Sequence, residues 1–178
     1  MTDTDLSSRE ERALATLGRL TRGALHELAN PLLALVGTAE FALGDAEPGT
    51  KLHGRLELVQ RTGQEIAEIV RALQAFAREQ SSPPTRLALG DSAEAAVALV
   101  RRVSAVPDVE LAVRRESEPE VVAAPGAVAA ALVELLLDGL AGAERGGTVE
   151  LVVSREGADA VAAVAGAGAL RLPAEDAS

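Results

Sequence analysis

The heptapeptide His26-Glu27-Leu28-Ala29-Asn30-Pro31-Leu32 lies inside a long run of residues with helical apolar spacing. Apolar residues recur around it at steps characteristic of a helix, and they are Leu14, Leu17, Ala24, Leu28, Leu35 and Ala42. Such spacing is typical of a helix that buries one stripe against partner helices. With Leu28 and Leu35 inward, His26 lies two positions off the stripe, and we expect its side chain to face solvent.

Two polar residues accompany the histidine. Asn30 follows His26 by one helical turn and so shares its outer side, while Glu27 is the next residue along the chain. Pro31 has no backbone N–H and crowds the carbonyl of Glu27, so we expect a bend or a loosened turn here. The sequence predicts an exposed polar cluster on a locally strained helix.

A second helix is predicted after the turn residues 44–50. The first helix is expected to begin near Ser7 or Ser8 and to run to about Leu43. The second carries a heptad stripe widened by Ile69 and Phe76, and its members are Leu52, Leu56, Val59, Gly63, Ile66, Val70 and Leu73. Two long helices joined by a short turn run antiparallel, and each has an apolar stripe to cover. A second copy of the chain would complete a four-helix bundle, so we expect a homodimer.

The segment Ser81-Ser82-Pro83-Pro84-Thr85 marks a boundary, because consecutive prolines cannot continue a helix. Short strand and helix patterns alternate beyond it. Strands are predicted at 86–89, 109–113, 120–123, 148–153 and 160–165, with one helix capped by Asp91 or Ser92 and ending near Val103, and another over 128–141. These elements predict a small α/β sandwich with helices over one face of a mixed sheet.

The predicted organisation is therefore a helical hairpin over 7–80, a linker over 81–85, an α/β domain over 86–172 and a polar tail over 173–178. The fold class is α plus α/β.

A family resemblance rests on three stretches of the first helix, which are Leu17-Gly18-Arg19-Leu20, Ala24 to Leu32, and Ala39-Glu40-Phe41-Ala42-Leu43. Together they resemble the phosphoacceptor helix, or H-box, of two-component sensor histidine kinases. The resemblance implies that His26 accepts a phosphoryl group on Nε2. It further implies that Glu27 is the acid/base that polarises the ring and that Asn30 orients transfer or a hydrolytic water. The alternative is a solvated histidine on a helix surface.

The second domain resembles the first part of the Bergerat-type ATPase domain that follows these helices in histidine kinases. The family's Asn-rich helix corresponds to 133–141, where Glu134 and Asp138 stand in place of asparagines. An extra negative charge beside a triphosphate is unfavourable unless a metal ion offsets it.

A second departure concerns the glycine-rich motif of that family. The stretch Val164 to Leu170 contains Gly166 and Gly168 but lacks the carboxylate of Asp-x-Gly-x-Gly, and neither a nucleotide lid nor a second glycine-rich box follows. We expect Glu134, Asp138, Gly166 and Gly168 to be remnants of a nucleotide site, with no cofactor and no metal bound by this chain.

Composition excludes several other classes. Aromatic residues make up 1% of the 178 residues and the formal charge is −10, so the chain has neither stacking platforms nor basic clusters for nucleic acid. There is no cysteine, and the two histidines lack neighbours with metal-ligand spacing. No run of about eighteen apolar residues is apparent, and the N-terminus does not resemble a leader, so we expect a cytoplasmic protein without membrane contact.

The leading hypothesis is a histidine phosphotransferase whose His26 exchanges a phosphoryl group with aspartates of response-regulator receiver domains, which bring their own Mg²⁺. A sensor histidine kinase is a further expected partner. Alternatives are a receiver phosphatase that uses Asn30 and Glu27, a pseudokinase adaptor without chemistry, and a truncated kinase. ATP-dependent autophosphorylation is disfavoured, because phosphoryl transfer needs adenine, phosphate and magnesium sites together. His53 is assigned no role.

Overall fold

The computed structural model describes residues 3–79, 82–104 and 108–175, apart from the side chains of 3–15, 17 and 19. Leu14 and Leu17 of the predicted stripe therefore lie outside the described side chains. The chain divides into two compact units, Met1–Ala77 and Arg78–Ser178. We call the first the hairpin unit and the second the sheet unit.

The hairpin unit consists of α1 (Asp3–Asp45) and α2 (Lys51–Glu79). α1 begins before the predicted start near Ser7 or Ser8, and it continues as a helix through Pro31. The connection contains Gly49 at φ 81°, a conformation that favours glycine. Thr50 caps α2, because its Oγ1 accepts a hydrogen bond from the His53 N–H at 3.2 Å.

Two contacts fix the register between the helices. Gln74 Nε2 donates to the Leu25 carbonyl at 3.0 Å. Near the other end, a Cβ placed on Gly63 would lie 2.7 Å from Val36 Cγ2. The paired positions are equally spaced on α1 and α2 and run in opposite directions, which confirms the antiparallel hairpin.

The phase of the predicted α1 stripe is wrong for this packing. Leu28 and Leu35 are 55% and 50% exposed. Six buried or half-buried residues of α1 lie one position later or three earlier, and they are Leu25, Ala29, Leu32, Val36, Ala39 and Leu43. Of the predicted stripe, Ala42 is half-buried. A helix in a bundle has two adjacent apolar faces, and sequence periodicity does not say which one meets the nearest helix.

The heptad stripe of α2 is likewise divided into residues that face α1 and residues that stay exposed. Gly63 and Val70 are buried, with Leu56 half-buried, whereas Leu52, Val59 and Ile66 remain exposed. In antiparallel helices, the exposed residues of α1 and α2 lie on the same side of the hairpin. We call this side the apolar face and define it by Leu28, Leu35, Leu52, Val59 and Ile66.

The sheet unit contains six strands and two helices. The strands are β1 (Thr85–Ala88), β2 (Glu110–Arg115), β3 (Glu120–Ala123), β4 (Thr148–Glu156), β5 (Asp159–Val164) and β6 (Gly168–Glu175). Their order in the sheet is β1-β3-β6-β5-β4-β2. β2 pairs in parallel with β4, and the other pairs are antiparallel, which confirms the mixed sheet.

The helices α3 (Leu89–Val103) and α4 (Pro125–Gly142) pack together on one face of the sheet. Alternate residues of β4 point into the resulting core, where Leu151 and Val153 are fully buried against Leu132 and Leu136 of α4. Ion pairs on the other face include Arg86 to Glu120 and Arg171 to Glu156, each at 2.8 Å. This alternation is what an antiparallel sheet with one solvated face requires.

Two local predictions in this unit are wrong. α3 starts at Leu89, after Ala88, and no side chain caps it. Leu89 is buried and its N–H donates to the Pro119 carbonyl at 3.1 Å, so tertiary contacts replace the expected caps Asp91 and Ser92. β6 was not predicted, and it extends through Pro173 to Glu175 into the segment assigned to the tail.

α4 also departs from the expectation that no segment could span a membrane. Among the described residues, α4 is one helix whose length and composition would allow it to cross a membrane. Its Val128, Leu132, Leu136 and Leu140 belong to the core of the sheet unit. A core helix of a folded domain can pass the same test.

Candidate functional site

His26, Glu27 and Asn30 all lie on α1 with exposed side chains. Asn30 is one turn beyond His26, so about 40° of helical rotation separates the two, and they share one side of the helix. Glu27 is about 100° away, at the edge of that side. The structure therefore brings His26 and Asn30 to one accessible surface, as the spacing predicted.

The histidine is on the opposite side of α1 from the apolar face. Leu28 and Leu35 are related to His26 by about 200° and 180° of rotation. Leu33 and Phe41 are on the same side as His26, at about 20° and 60° from it, and they are 57% and 80% exposed. The surface around the histidine is thus polar at His26 and Asn30 and apolar further along α1.

The helix turn that follows His26 lacks one backbone hydrogen bond. Pro31 has no N–H to donate to the carbonyl of Glu27. Immediately before His26, the Leu25 carbonyl accepts the additional hydrogen bond from Gln74. The histidine therefore lies between a turn that is tied to α2 and a turn that has lost a bond.

His53 lies outside this site. Its Nδ1 is 3.7 Å from Oε1 of Glu57 on the next turn of α2. Its position in the first turn of that helix fits the absence of an assigned role.

Only two of the four predicted remnants of a nucleotide site line the same cavity. Asp138 and Gly166 line one cavity of about 540 Å³ in the sheet unit, together with Arg114, Thr148 and Glu150. Glu134 is exposed on α4 outside the lining of this cavity. A Cβ placed on Gly168 would lie 3.6 Å from Leu135 Cδ2.

Both glycines have a local structural reason. Gly166 and Gly168 adopt φ of 79° and 130°, and the turn between them closes the β5–β6 hairpin with Val164 paired to Gly168. L residues with a side chain rarely adopt these angles, so glycine is favoured by the turn alone. Val164 is buried, and a Cβ on Gly139 of α4 would lie 2.7 Å from its Cγ1.

The cavity also contains an ion pair that the sequence did not reveal. Arg114 Nε donates to Glu150 Oε2 at 2.9 Å, and Arg114 also bonds to Glu116. These bonds raise the pKa of Arg114, the one to Glu150 foremost. Within the described residues, no cluster of three or more His, Asp or Glu side chains could hold a metal ion.

One solved structure is similar to this chain over most of its length. A bacterial phosphotransferase matches with a TM-score of 0.50 and 15% identity over 83% of this chain and 65% of that chain. Over the covered residues, the chain has the fold of this phosphotransferase. Because the identity is low, this likeness concerns the fold and not the activity.

Two further structures have TM-scores below 0.5. Full-length ShkA in complex with AMPPNP is 18% identical, with a TM-score of 0.49 over 82% of this chain and 32% of that chain. The histidine kinase ThkA in complex with response regulator protein TrrA is 13% identical, with a TM-score of 0.42 over 90% of this chain and 48% of that chain. This chain therefore spans about a third of ShkA and two-thirds of the phosphotransferase. No protein-family model and no curated protein sequence matches it.

The contact next to His26 that sequence reasoning missed is the hydrogen bond from Gln74 to the Leu25 carbonyl. The sequence signal for Gln74 is heptad spacing. Gln60, Ala67 and Gln74 follow one another at seven-residue steps on the face of α2 that meets α1, and the two glutamines are polar. The partner of Gln74 depends on the register between the helices, which composition and periodicity leave open.

Proposed function

We propose that this chain is a histidine phosphotransferase of a two-component phosphorelay. His26 takes a phosphoryl group from the aspartyl phosphate of one receiver domain and passes it to another receiver. The observation that carries the proposal is the exposed pair of His26 and Asn30 on a histidine-kinase-like hairpin, on the side away from the apolar face.

The chemistry asks little of this chain beyond a nucleophile. The lone pair of neutral His26 Nε2 forms the N–P bond while the P–O bond to the receiver's aspartate breaks, and its electrons return to that carboxylate. The proton on Nδ1 stays on the ring, where the Glu27 carboxylate offsets the positive charge. Donation to the next receiver reverses these bonds. The receiver supplies Mg²⁺ from its own acidic site.

The apolar face supports the second part of the proposal, a homodimer. Leu28, Leu35, Leu52, Val59 and Ile66 are exposed apolar residues on the same side of both helices. Burying such a surface is favourable by about 25 cal/mol per Å², and an identical hairpin is apolar at the same positions. Two copies paired through this face form the four-helix bundle.

Leu33 and Phe41 supply a docking face for the receiver. They are exposed on the His26 side, which dimerisation through the opposite side leaves open. Exposed aromatic and aliphatic residues beside a reactive group are typical of protein contacts. We assign the sheet unit the role of an additional docking surface.

Three features of the sheet unit support transfer without ATP. Buried Val164 begins the stretch that resembles the family's adenine-reading motif, and both glycines there are required by a β-turn. Asp138 and Glu150 place carboxylates around the cavity that a triphosphate would enter. The charge of Asp138 opposes a polyanion, whereas Arg114 pairs with Glu150 and offsets its charge.

The test uses labelled phosphate and the only two histidines of the chain. The full chain is incubated with receiver domains from the same genome, each phosphorylated with labelled acetyl phosphate, and separately with labelled ATP. We expect label on the chain from receivers and none from ATP. His26→Ala should abolish labelling, and the matched variant His53→Ala should retain it.

Other outcomes overturn the proposal. Label acquired from ATP alone would make the chain an autokinase. Receivers that lose phosphate to water equally fast with His26→Ala would show a phosphatase that uses Asn30, the second candidate favoured by its exposure beside the histidine. Binding to a receiver without any exchange would identify an adaptor.

A further inference from the structure

We infer that Gln74 is a positioning residue for phosphoryl transfer, acting on His26 through the backbone of α1. This inference rests on the proposed function and deepens it. Its starting point is the hydrogen bond from Gln74 Nε2 to the Leu25 carbonyl, 3.0 Å across the hairpin.

The surroundings make this bond a strong constraint on the neighbouring residue. Leu25 is buried and directly precedes His26, and Gln74 is half-buried on the inner side of α2. A hydrogen bond shielded from water is stronger and better directed than an exposed one. The backbone from which the imidazole projects is therefore tied to α2 at its N-terminal side.

The opposite side of His26 has less support from within its own helix. Pro31 leaves the Glu27 carbonyl without its usual donor. A turn that lacks one internal bond depends more on contacts from outside the helix. The bond from Gln74 sets the rotation and the height of His26 on the hairpin surface, and in-line transfer to a docked receiver depends on both.

Three substitutions separate positioning from general packing. Gln74→Met keeps the length of the side chain and removes the donor, and Gln74→Lys restores a donor. Gln60→Met is the matched control, because Gln60 is also half-buried and occupies the same heptad position two heptads away, about 20 Å along α2.

Hydrogen exchange tests the anchoring without a receiver. In the full chain, we expect Gln74→Met to speed exchange of the amides in 26–30 about fivefold, the factor that corresponds to one ordinary hydrogen bond. Gln60→Met should leave these amides unchanged. Unchanged exchange in Gln74→Met would overturn the anchoring.

Transfer kinetics test the functional consequence. At saturating phosphorylated receiver, we expect Gln74→Met to slow labelling of His26 about fivefold or more, with an unchanged half-saturating receiver concentration. Gln74→Lys should recover to within about twofold of the original rate. Labelling of His26 by phosphoramidate, a small donor that needs no docking, should be unaffected.

The outcomes distinguish the two proposals. A natural chain that exchanges no phosphoryl group with any receiver contradicts the proposed function, while hydrogen exchange still decides the anchoring. If the natural chain transfers and Gln74→Met transfers equally fast, the inference about Gln74 is wrong. Equal slowing by Gln60→Met, or slowing of the phosphoramidate reaction, would also overturn it in favour of packing or altered ring reactivity.

Discussion

The hairpin unit and the sheet unit differ in how completely they bury their apolar residues. Among the described residues, eighteen of the twenty-two buried apolar side chains belong to the sheet unit, and nine of the twelve large exposed ones belong to the hairpin unit. Two helices and a sheet can enclose a core, whereas two helices alone cover only one face of each other. The sheet unit therefore encloses its core within its own chain, whereas the hairpin unit leaves apolar residues exposed, which the proposed homodimer would cover.

The largest expected effect comes from placing a charge on the apolar face. Ile66→Asp should weaken dimerisation about a thousandfold or more, because each dimer would bury two unpaired carboxylates. Sedimentation equilibrium of the full chain measures this. Leu137→Asp is the matched control, since Leu137 of the sheet unit is 44% exposed and Ile66 is 45% exposed. Equal assembly of both variants would contradict the comparison.

A substitution that removes side-chain volume from the core of the sheet unit should weaken folding of that unit and leave dimerisation unchanged. Leu136 is fully buried on α4, so Leu136→Ala should lower the free energy of unfolding of this unit by about 3 kcal/mol. Denaturant titration followed by hydrogen exchange in β4 and β5 checks the value. The dimer should persist at denaturant concentrations at which the sheet unit of Leu136→Ala is still folded. Dissociation there would mean that the two units do not behave separately.

A pair of glycines in α2 compares the inside of the hairpin with its outside. Gly63→Ala brings a methyl group to 2.7 Å from Val36 Cγ2 and should destabilise the hairpin by about 1 kcal/mol. Gly54→Ala meets no atom within 4 Å and should stabilise it by about 0.5–1 kcal/mol through helix propensity. Thermal unfolding at equal protein concentration distinguishes the signs. A gain from both variants would show that the helices are not closely packed at Gly63.

The smallest effect is expected on the solvated face of the sheet. Arg171 and Glu156 are each more than half exposed, and their charges are 2.8 Å apart. Arg171→Ala should change the free energy of unfolding by less than about 0.5 kcal/mol, since water screens the pair. Urea titration of the two proteins in parallel is sufficient. A loss comparable with that of Leu136→Ala would mean that this face is covered by another surface.

Much of the fold followed from local patterns. The strand at 120–123 and the start of β4 at Thr148 were predicted where they occur, because alternating apolar residues and flanking turns mark both. β6 was missed because Gly168 and Pro173 are poor strand formers. Only its pairing with β5 and β3 makes it a strand, and such pairing is not local information.

The candidate site was predictable to the same depth. His26 and Asn30 are exposed as predicted, although the prediction took Leu28 and Leu35 as inward and the structure leaves both exposed. The identity of the inner stripe did not follow from helical phase, because Leu28 and Leu35 are as apolar as the residues that meet α2. Gln74 could be found only once the register placed it beside Leu25.

The position of His26 opposite the apolar face has a consequence for stoichiometry. In a two-fold pairing through that face, the two histidines point away from each other on opposite flanks of the bundle. In the proposed dimer, each flank then has room for its own receiver domain, so one dimer would carry two separate phosphoryl groups. A donor on one flank and an acceptor on the other could be engaged at the same time without collision.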